Sequence, residues 1–260
     1  MDIHIPLGAV VILVEVVLTV SLIGWMRSSM RGEPVGWRMI GKVVLCGMVA
    51  ALISAFVTLN YSFNIPELQA HMPNLVDKYR ALMIVLNTGG AAMIEELAKY
   101  TVGVFLLITP QQKHQRLSDT IMFMILIGLG FSLIEDCLYL LNPDTIAPYR
   151  LLSFYLHSGT CAIMGYSLGR FRFGLTGYRE VLRSVLAAIL LHSAYNLTTQ
   201  LDDQNLALYL TFAITVFITL QIFILFRKTL EEEYALEQSH VVHKEPTRLL
   251  NLKPVVKGAK

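Results

Sequence analysis

Apolar residues fall into seven long runs along this chain, and short polar stretches separate the runs. They cover residues 5–26, 39–60, 81–108, 120–141, 150–169, 184–200 and 206–226. A helix needs about 20 apolar residues to cross the hydrocarbon core of a bilayer. The pattern therefore predicts an all-α fold, a polytopic membrane helix bundle with about seven transmembrane helices.

The composition is that of a membrane protein rather than a soluble domain. Of the 260 residues, 55% are hydrophobic and only 15% are charged, whereas soluble domains have about 25% charged residues. The first run lacks the basic start and small-residue cleavage site of a signal peptide, so we interpret it as a retained helix. We expect the bundle to cover residues 1–226. Residues 227–260 would form a cytosolic tail, helical at first and then partly disordered.

Lysine and arginine collect at alternate ends of the predicted spans. They follow spans one, three, five and seven, as Arg27, Arg31, Arg38, Lys42, Lys113, Arg116, Arg170, Arg172, Arg179, Arg183, Arg227 and Lys228. Basic residues favour the cytoplasmic side, so the pattern predicts an N-terminus outside the cell and a cytoplasmic C-terminus. The arginines and aromatic residues after span five are typical of an anchor in the membrane interface. We therefore expect a plasma or inner membrane protein with no nucleic acid partner.

Ionisable side chains lie near the middle of several spans, where each costs about 2.5–3.5 kcal/mol on insertion unless it faces a partner or a water-filled site. Spans three to six contain Glu95, Glu96, Lys99, Glu135, Asp136, His157, His192 and Asn196. On a helix, Lys99 is within reach of both acids that precede it by three and four residues. The lysine can therefore hold one carboxylate while the other faces the interior.

Helical rise predicts that four of these side chains share one depth. If Asn87 marks the outer edge of span three, a rise of about 1.5 Å per residue places four side chains roughly 9–12 Å below the outer surface: Glu95, Glu135, His157 and His192. Polar residues that only join helices would not need two acids and two histidines at one level. For Glu15, alone in span one, and for Asp136, near a span end, joining helices is the favoured interpretation.

The same four spans carry the stretches EELAK, GLGFSLIEDCLY, HSGTCAIMG and HSAYN in this order. Over about residues 87–200, which we take as the catalytic core, they resemble the PrsW-type intramembrane proteases. That family belongs to a wider group with the CAAX-prenyl proteases and bacteriocin-processing proteins. The resemblance implies cleavage of a membrane-anchored protein substrate, such as an anti-sigma factor, near the extracytoplasmic side. It places the functional residues at Glu95, Glu96, Glu135, His157, His192 and Asn196. The chain departs from the family at Asp136, where asparagine is common.

Peptide hydrolysis needs a base that activates water and donors that stabilise the oxyanion. Glu95 is the expected base, with Glu96 as the alternative because the sequence does not fix the helix rotation. The other residues would polarise the carbonyl, hold the water, bind a metal or orient a histidine: Glu135, His157, His192 and Asn196. The chain has no HExxH motif, no Ser-His-Asp set and no intramembrane aspartate pair. A serine or aspartyl mechanism is therefore not expected.

Two mechanisms stay open for the hydrolysis. Zinc takes about three protein ligands from histidine and carboxylate and keeps a position for water. His157 and His192, together with Glu135 or Glu95, would supply such a set. A glutamate that activates water, with histidine and asparagine as oxyanion donors, explains the same residues without a metal. We expect the metal-free mechanism, with zinc as the alternative cofactor.

Two other functions use the same kind of residues. A transporter or proton-coupled channel would relay protons along intramembrane acids and histidines, but it needs a path to both faces, and the inner halves of spans four to six are apolar. A catalytically silent sensor or immunity-type scaffold would keep the fold without the reaction. We therefore favour the intramembrane protease.

The charge pattern predicts the topology of the chain. Reporter fusions near Gln69 and Asp203 should be active outside the cell. Fusions near Arg116, near Arg172 and in the tail should be active in the cytoplasm, because the basic residues flank those positions. Alkaline phosphatase fusions test the positions expected outside, and fluorescent-protein fusions test those expected in the cytoplasm. A tail outside the cell would contradict the prediction.

Overall fold

The computed structural model describes residues 7–61, 65–108, 116–140 and 152–238. These residues form eight helices and no strands: α1 (Leu7–Ser29), α2 (Trp37–Tyr61), α3 (Ile65–His71), α4 (Pro73–Ile108), α5 (Leu117–Leu140), α6 (Ser153–Arg172), α7 (Tyr178–Thr198) and α8 (Gln204–Gln238). The prediction of an all-α fold is confirmed for the described part of the chain.

Among the described helices, six are long and apolar enough to cross a membrane, namely α1, α2, α4, α5, α7 and α8. The predicted fifth span corresponds to α6, which is not one of the six. Its 20 residues include a histidine, three glycines and two arginines, so its average hydropathy is low. Most of its side chains are buried among the other helices. Thus α6 is an interior helix of a multi-pass membrane protein. The orientation of the bundle in the membrane stays a prediction.

Helices α3, α4 and α8 add detail to the boundaries predicted from the sequence. Helix α4 begins at Pro73, so neither residue 81 nor Asn87 marks its start. Proline is favoured at the first position of a helix. The polar residues that follow it are helical as well, although the apolar run begins only later. The short helix α3 lies in a segment that we expected to be a loop. Helix α8 continues without a break past the end of the apolar run at residue 226 to Gln238, in agreement with the predicted helical start of the tail, and the rest of the tail lies outside the described residues.

Helix α5 is the centre of the bundle. It packs against α2 on one side and α6 on another, and α4 packs against both α2 and α7. The α5 segment from residue 121 to residue 127 is almost completely buried. A helix that is apolar all round belongs in an interior of this kind. The central position of α5 sets the places of the helices that carry the ionisable residues.

Two glycines allow α5 to approach its neighbours closely. A Cβ atom on Gly128 would overlap the backbone carbonyl of His157 in α6, and one on Gly130 would overlap the carbonyl of Val44 in α2. Residues two apart on a helix point in nearly opposite directions. Close packing through small residues is a common basis of helix association in membranes. The contact at Gly128 holds α5 directly against the backbone of His157.

We expect Gly128→Ala and Gly130→Ala to destabilise the bundle. The added methyl group has no space at either position, and such overpacking costs about 1–3 kcal/mol. Gly41→Ala in α2 is the matched control, because a Cβ atom there meets nothing within 4 Å. Thermal unfolding of the three purified variants in detergent measures the difference. Equal unfolding temperatures for all three would contradict the packing described here.

Candidate active site

Four helices bring the predicted ionisable side chains into one cluster. This active-site cluster comprises three residues of α4 and one each from α5, α6 and α7: Glu95, Glu96, Lys99, Glu135, His157 and His192. The rings of His157 and His192 lie 5.1 Å apart between centroids, at an angle of 78°. Both histidines are buried. Side chains that the sequence predicts to share one depth are therefore in contact, and the position of the outer membrane edge along α4 stays a prediction.

His192 has a defined hydrogen-bond arrangement. Its Nδ1 atom lies 2.7 Å from Oε1 of Glu96. A carboxylate only accepts hydrogen bonds, so Nδ1 carries a proton, and in the neutral ring Nε2 keeps a lone pair. That Nε2 atom faces Oε2 of Glu95 at 3.6 Å, which is longer than a hydrogen bond. The space between His192 and Glu95 is thus bordered by two acceptor atoms.

Glu96 is the most heavily bonded acid of the cluster. Besides His192, its Oε1 atom accepts a hydrogen bond from Nζ of Lys99 at 2.6 Å and one from the hydroxyl of Thr160 at 3.2 Å. The side chains of Glu96 and Lys99 are both fully buried. Hydrogen bonds from charged donors favour the ionised form of a carboxyl group. Glu96 therefore holds a buried negative charge that three helices share.

His157 is held from both sides. Its Nδ1 atom lies 2.8 Å from Nζ of Lys99, and its Nε2 atom lies 2.6 Å from Oε2 of Glu135. A lysine ammonium group only donates hydrogen bonds, so Nδ1 accepts and the ring proton resides on Nε2. The ring also packs against Phe131, with 4.9 Å between centroids. His157 therefore donates to Glu135, whereas His192 donates to Glu96.

The two remaining acids lie on the more open side of the cluster. The side chains of Glu95 and Glu135 are 14% and 20% exposed, whereas that of Glu96 is fully buried. Among the described residues, no hydrogen bond reaches the Glu95 carboxylate, and its Oε2 atom is buried without a partner. Glu95 is thus the acid of the cluster that combines an unoccupied oxygen with a partly exposed side chain.

Two predicted positions do not join the cluster. Asn196 lies one turn after His192 on α7, but within the described part of the chain its side chain makes no hydrogen bond to the cluster. Its backbone carbonyl accepts a hydrogen bond from Thr199. Asp136 is buried and accepts a hydrogen bond from the hydroxyl of Ser153 at 3.2 Å. It also interacts with the buried Glu15 of α1, in line with the expected role in joining helices.

Two contacts of the cluster were not predicted from the sequence. The first is the hydrogen bond from Lys99 to His157, because the lysine was considered only as a partner of the two glutamates. The second is the hydrogen bond from Thr160 to Glu96. Thr160 follows His157 by three residues and therefore lies on the same face of α6, so helical spacing was the available signal. The lysine contact had no such signal, because helical spacing pointed only to Glu95 and Glu96 as partners of Lys99.

The cluster provides only part of a zinc site. Ligand atoms of Glu95, His157 and His192 lie within 4.8 Å of one another, and Glu135, which we had considered as a ligand, instead accepts from His157. A metal-binding histidine normally donates its second N–H to an acceptor, which His192 does through Glu96. His157 does not meet this requirement, because the donor Lys99 faces its Nδ1. Two suitable ligands remain where zinc usually takes three or more, so these residues do not fit a three-ligand site.

Comparison with known families gives one match. The chain matches the family described as PrsW family intramembrane metalloprotease over residues 35–225. This range contains α2 to α7 and most of α8. No curated protein and no solved structure matches the chain significantly. The resemblance to PrsW-type proteases is confirmed, and the link to the wider group with CAAX-prenyl proteases stays a prediction. The chain belongs to the PrsW family of intramembrane proteases, which are multi-pass membrane hydrolases.

Proposed function

We propose that this protein hydrolyses a peptide bond of a membrane-anchored protein substrate with Glu95 as the general base. The observation that carries the proposal is the free Oε2 atom of Glu95, which lies 3.6 Å from the lone pair of His192 Nε2. A water molecule does not fit between these two atoms, but one that lies beside the pair on the open side of the cluster can donate a hydrogen bond to Glu95 and lie next to His192. Such a water is held in place and has a base beside it.

Glu96 suits a different role. Its Oε1 atom accepts three hydrogen bonds, one of them from a lysine ammonium group. The side chain is fully buried and paired with Lys99, so Glu96 is poorly placed to take a proton from a water on the open side of the cluster. Glu96 instead orients His192 with the lone pair of Nε2 directed toward Glu95. The alternative assignment of the base, which the sequence left open, is therefore less favoured.

The reaction follows from these assignments. Glu95 takes a proton from the water as the water oxygen attacks the carbonyl carbon, and it later returns the proton to the leaving amine. The oxyanion needs N–H donors. We assign this role to the Nε2–H group of His157, which would exchange Glu135 for the oxyanion when the substrate binds, and to Asn196 after its side chain turns toward the substrate. Glu135 orients His157, and no step requires a metal.

The substrate class rests on the family and on the charge pattern. PrsW-type proteases imply a membrane-anchored protein such as an anti-sigma factor, and the distribution of lysine and arginine directs the N-terminus outward. Under this topology the active-site cluster lies in the outer half of the bundle. We therefore expect cleavage near the extracytoplasmic side of the plasma or inner membrane. The buried apolar residues of α5 between 121 and 127 disfavour the alternative of a transport path.

Glu95→Gln is expected to abolish cleavage without unfolding the protein. Removal of a general base lowers kcat by about 10²- to 10⁴-fold, and among the described residues Oε2 of Glu95 accepts no hydrogen bond that its loss would break. Glu96→Gln should lower both activity and stability, because Lys99 loses a buried partner at a cost of about 3–5 kcal/mol. Purified protein incubated with single-span membrane proteins, followed by mass spectrometry, measures cleavage, and thermal unfolding measures stability.

The matched control is Glu180→Gln, which changes an exposed acid on α7 that pairs only with Arg183. It should cleave and unfold like the unmodified protein. Cleavage by Glu95→Gln at the unmodified rate would refute the assignment of the base. No defined cleavage by the unmodified protein against a broad substrate panel, with a normal unfolding transition, would favour the silent scaffold.

A further inference from the structure

Lys99 lies at the centre of the active-site cluster. Its side chain is fully buried, and its Nζ atom contacts three groups on three different helices. It lies 2.6 Å from Oε1 of Glu96, 2.8 Å from Nδ1 of His157 and 4.5 Å from the centroid of the Phe131 ring. An ammonium group has three N–H bonds to donate. Each of the three contacts suits a positively charged donor.

The ion pair with Glu96 determines what Lys99 offers to His157. A lysine that donates to a buried carboxylate at 2.6 Å is an ammonium group and has no lone pair to accept a hydrogen bond. Its contact with His157 therefore runs in one direction, from Nζ to Nδ1. The opposite nitrogen of the ring donates to Glu135. Lys99 and Glu135 thus impose the same ring tautomer from opposite sides.

We infer that Lys99 is a positioning residue that fixes the proton of His157 on Nε2 and thereby withholds His157 from metal coordination. Coordination through Nδ1 is blocked, because the ammonium group lies against that atom. Coordination through Nε2 would move the ring proton to Nδ1 and place two donors 2.8 Å apart. The two histidines therefore differ, since His192 has an acceptor behind its ring and His157 has a donor.

The inference also concerns the reaction, and in this respect it rests on the proposed function. With the proton on Nε2, His157 donates toward the open side of the cluster, where the partly exposed Glu135 accepts the hydrogen bond and a substrate oxyanion would take its place. A donor there can stabilise an oxyanion. In the opposite tautomer, His157 would present a lone pair and repel the developing charge. Lys99 therefore supports the hydrolysis without touching the substrate.

The first test measures the tautomer directly. Full-length protein labelled with ¹⁵N-histidine in detergent should show, by long-range ¹H–¹⁵N couplings, a neutral His157 with its proton on Nε2. His157→Gln identifies the resonances of this residue among the seven histidines of the chain. A proton on Nδ1 of His157 in the unmodified protein would overturn the inference. Because this measurement needs no cleavage, its outcome is independent of the proposed function.

The second test reverses the hydrogen-bond direction. Lys99→Gln supplies an amide oxygen that can accept from Nδ1 of His157 and an amide N–H that can still donate to Glu96. The acceptor behind the ring would free Nε2 for a metal. We expect Lys99→Gln to bind Co²⁺ about 10- to 100-fold more tightly than the unmodified protein, the usual effect of such a supporting contact. The visible absorption of tetrahedral Co²⁺ measures the binding.

Two further variants make the metal test specific. Lys99→Met removes the donor but adds no acceptor, so it should bind Co²⁺ more weakly than Lys99→Gln. Lys78→Met changes an exposed lysine on the same helix and should behave like the unmodified protein. Adding His157→Ala to Lys99→Gln should abolish the gained binding. Stoichiometric tetrahedral Co²⁺ in the unmodified protein that disappears with His157→Ala would overturn the inference, and so would equal affinities of Lys99→Gln and Lys99→Met.

Discussion

The buried ion pair between Lys99 and Glu96 is the interaction on which the rest of the site depends. Two charges are expensive to remove from water, and they are tolerated only when hydrogen bonds satisfy them. Glu96 accepts from α4, α6 and α7, and Lys99 reaches His157 on α6. The charge of Lys99 thus determines the tautomer of His157, and the charge of Glu96 orients the ring of His192. Oε2 of Glu95 has no hydrogen-bond partner among the described residues, and this is the basis of the proposal that Glu95 is the base.

The packing of α5 brings Glu135 to His157, the histidine that Lys99 contacts from the other side. Gly128 lies against the backbone of His157, and Gly130 lies against α2 on the other side. A larger residue at either position would move the helix and therefore displace Glu135 from the ring nitrogen 2.6 Å away. Short contacts between ionisable groups require fixed backbones, because a hydrogen bond weakens steeply with distance and angle. Gly128 and Gly130 therefore help to position the site residues, although they have no reactive side chain.

The metal question also depends on hydrogen-bond direction more than on the identity of the ligands. Two histidines and a glutamate within 4.8 Å resemble a metal site by composition. The partners of the two Nδ1 atoms distinguish the histidines. Glu96 accepts from His192 and supports a metal-binding role for it, whereas Lys99 donates to His157 and opposes one. The family description as a metalloprotease and this arrangement thus disagree about one residue. A lysine in place of an acceptor behind that ring accounts for the disagreement.

The sequence by itself determined the helical fold, the chemical types of the site residues and the four helices that carry them, because hydropathy and the cost of intramembrane charge are local properties. It did not determine that α6 is an interior helix, since burial by neighbouring helices replaces lipid there. It favoured Glu95 over Glu96 as the base without deciding between them, because helical spacing gives relative angles but not the rotation of a helix in the bundle. Only tertiary packing decided that rotation, together with the contact of Lys99 with His157 across 58 residues.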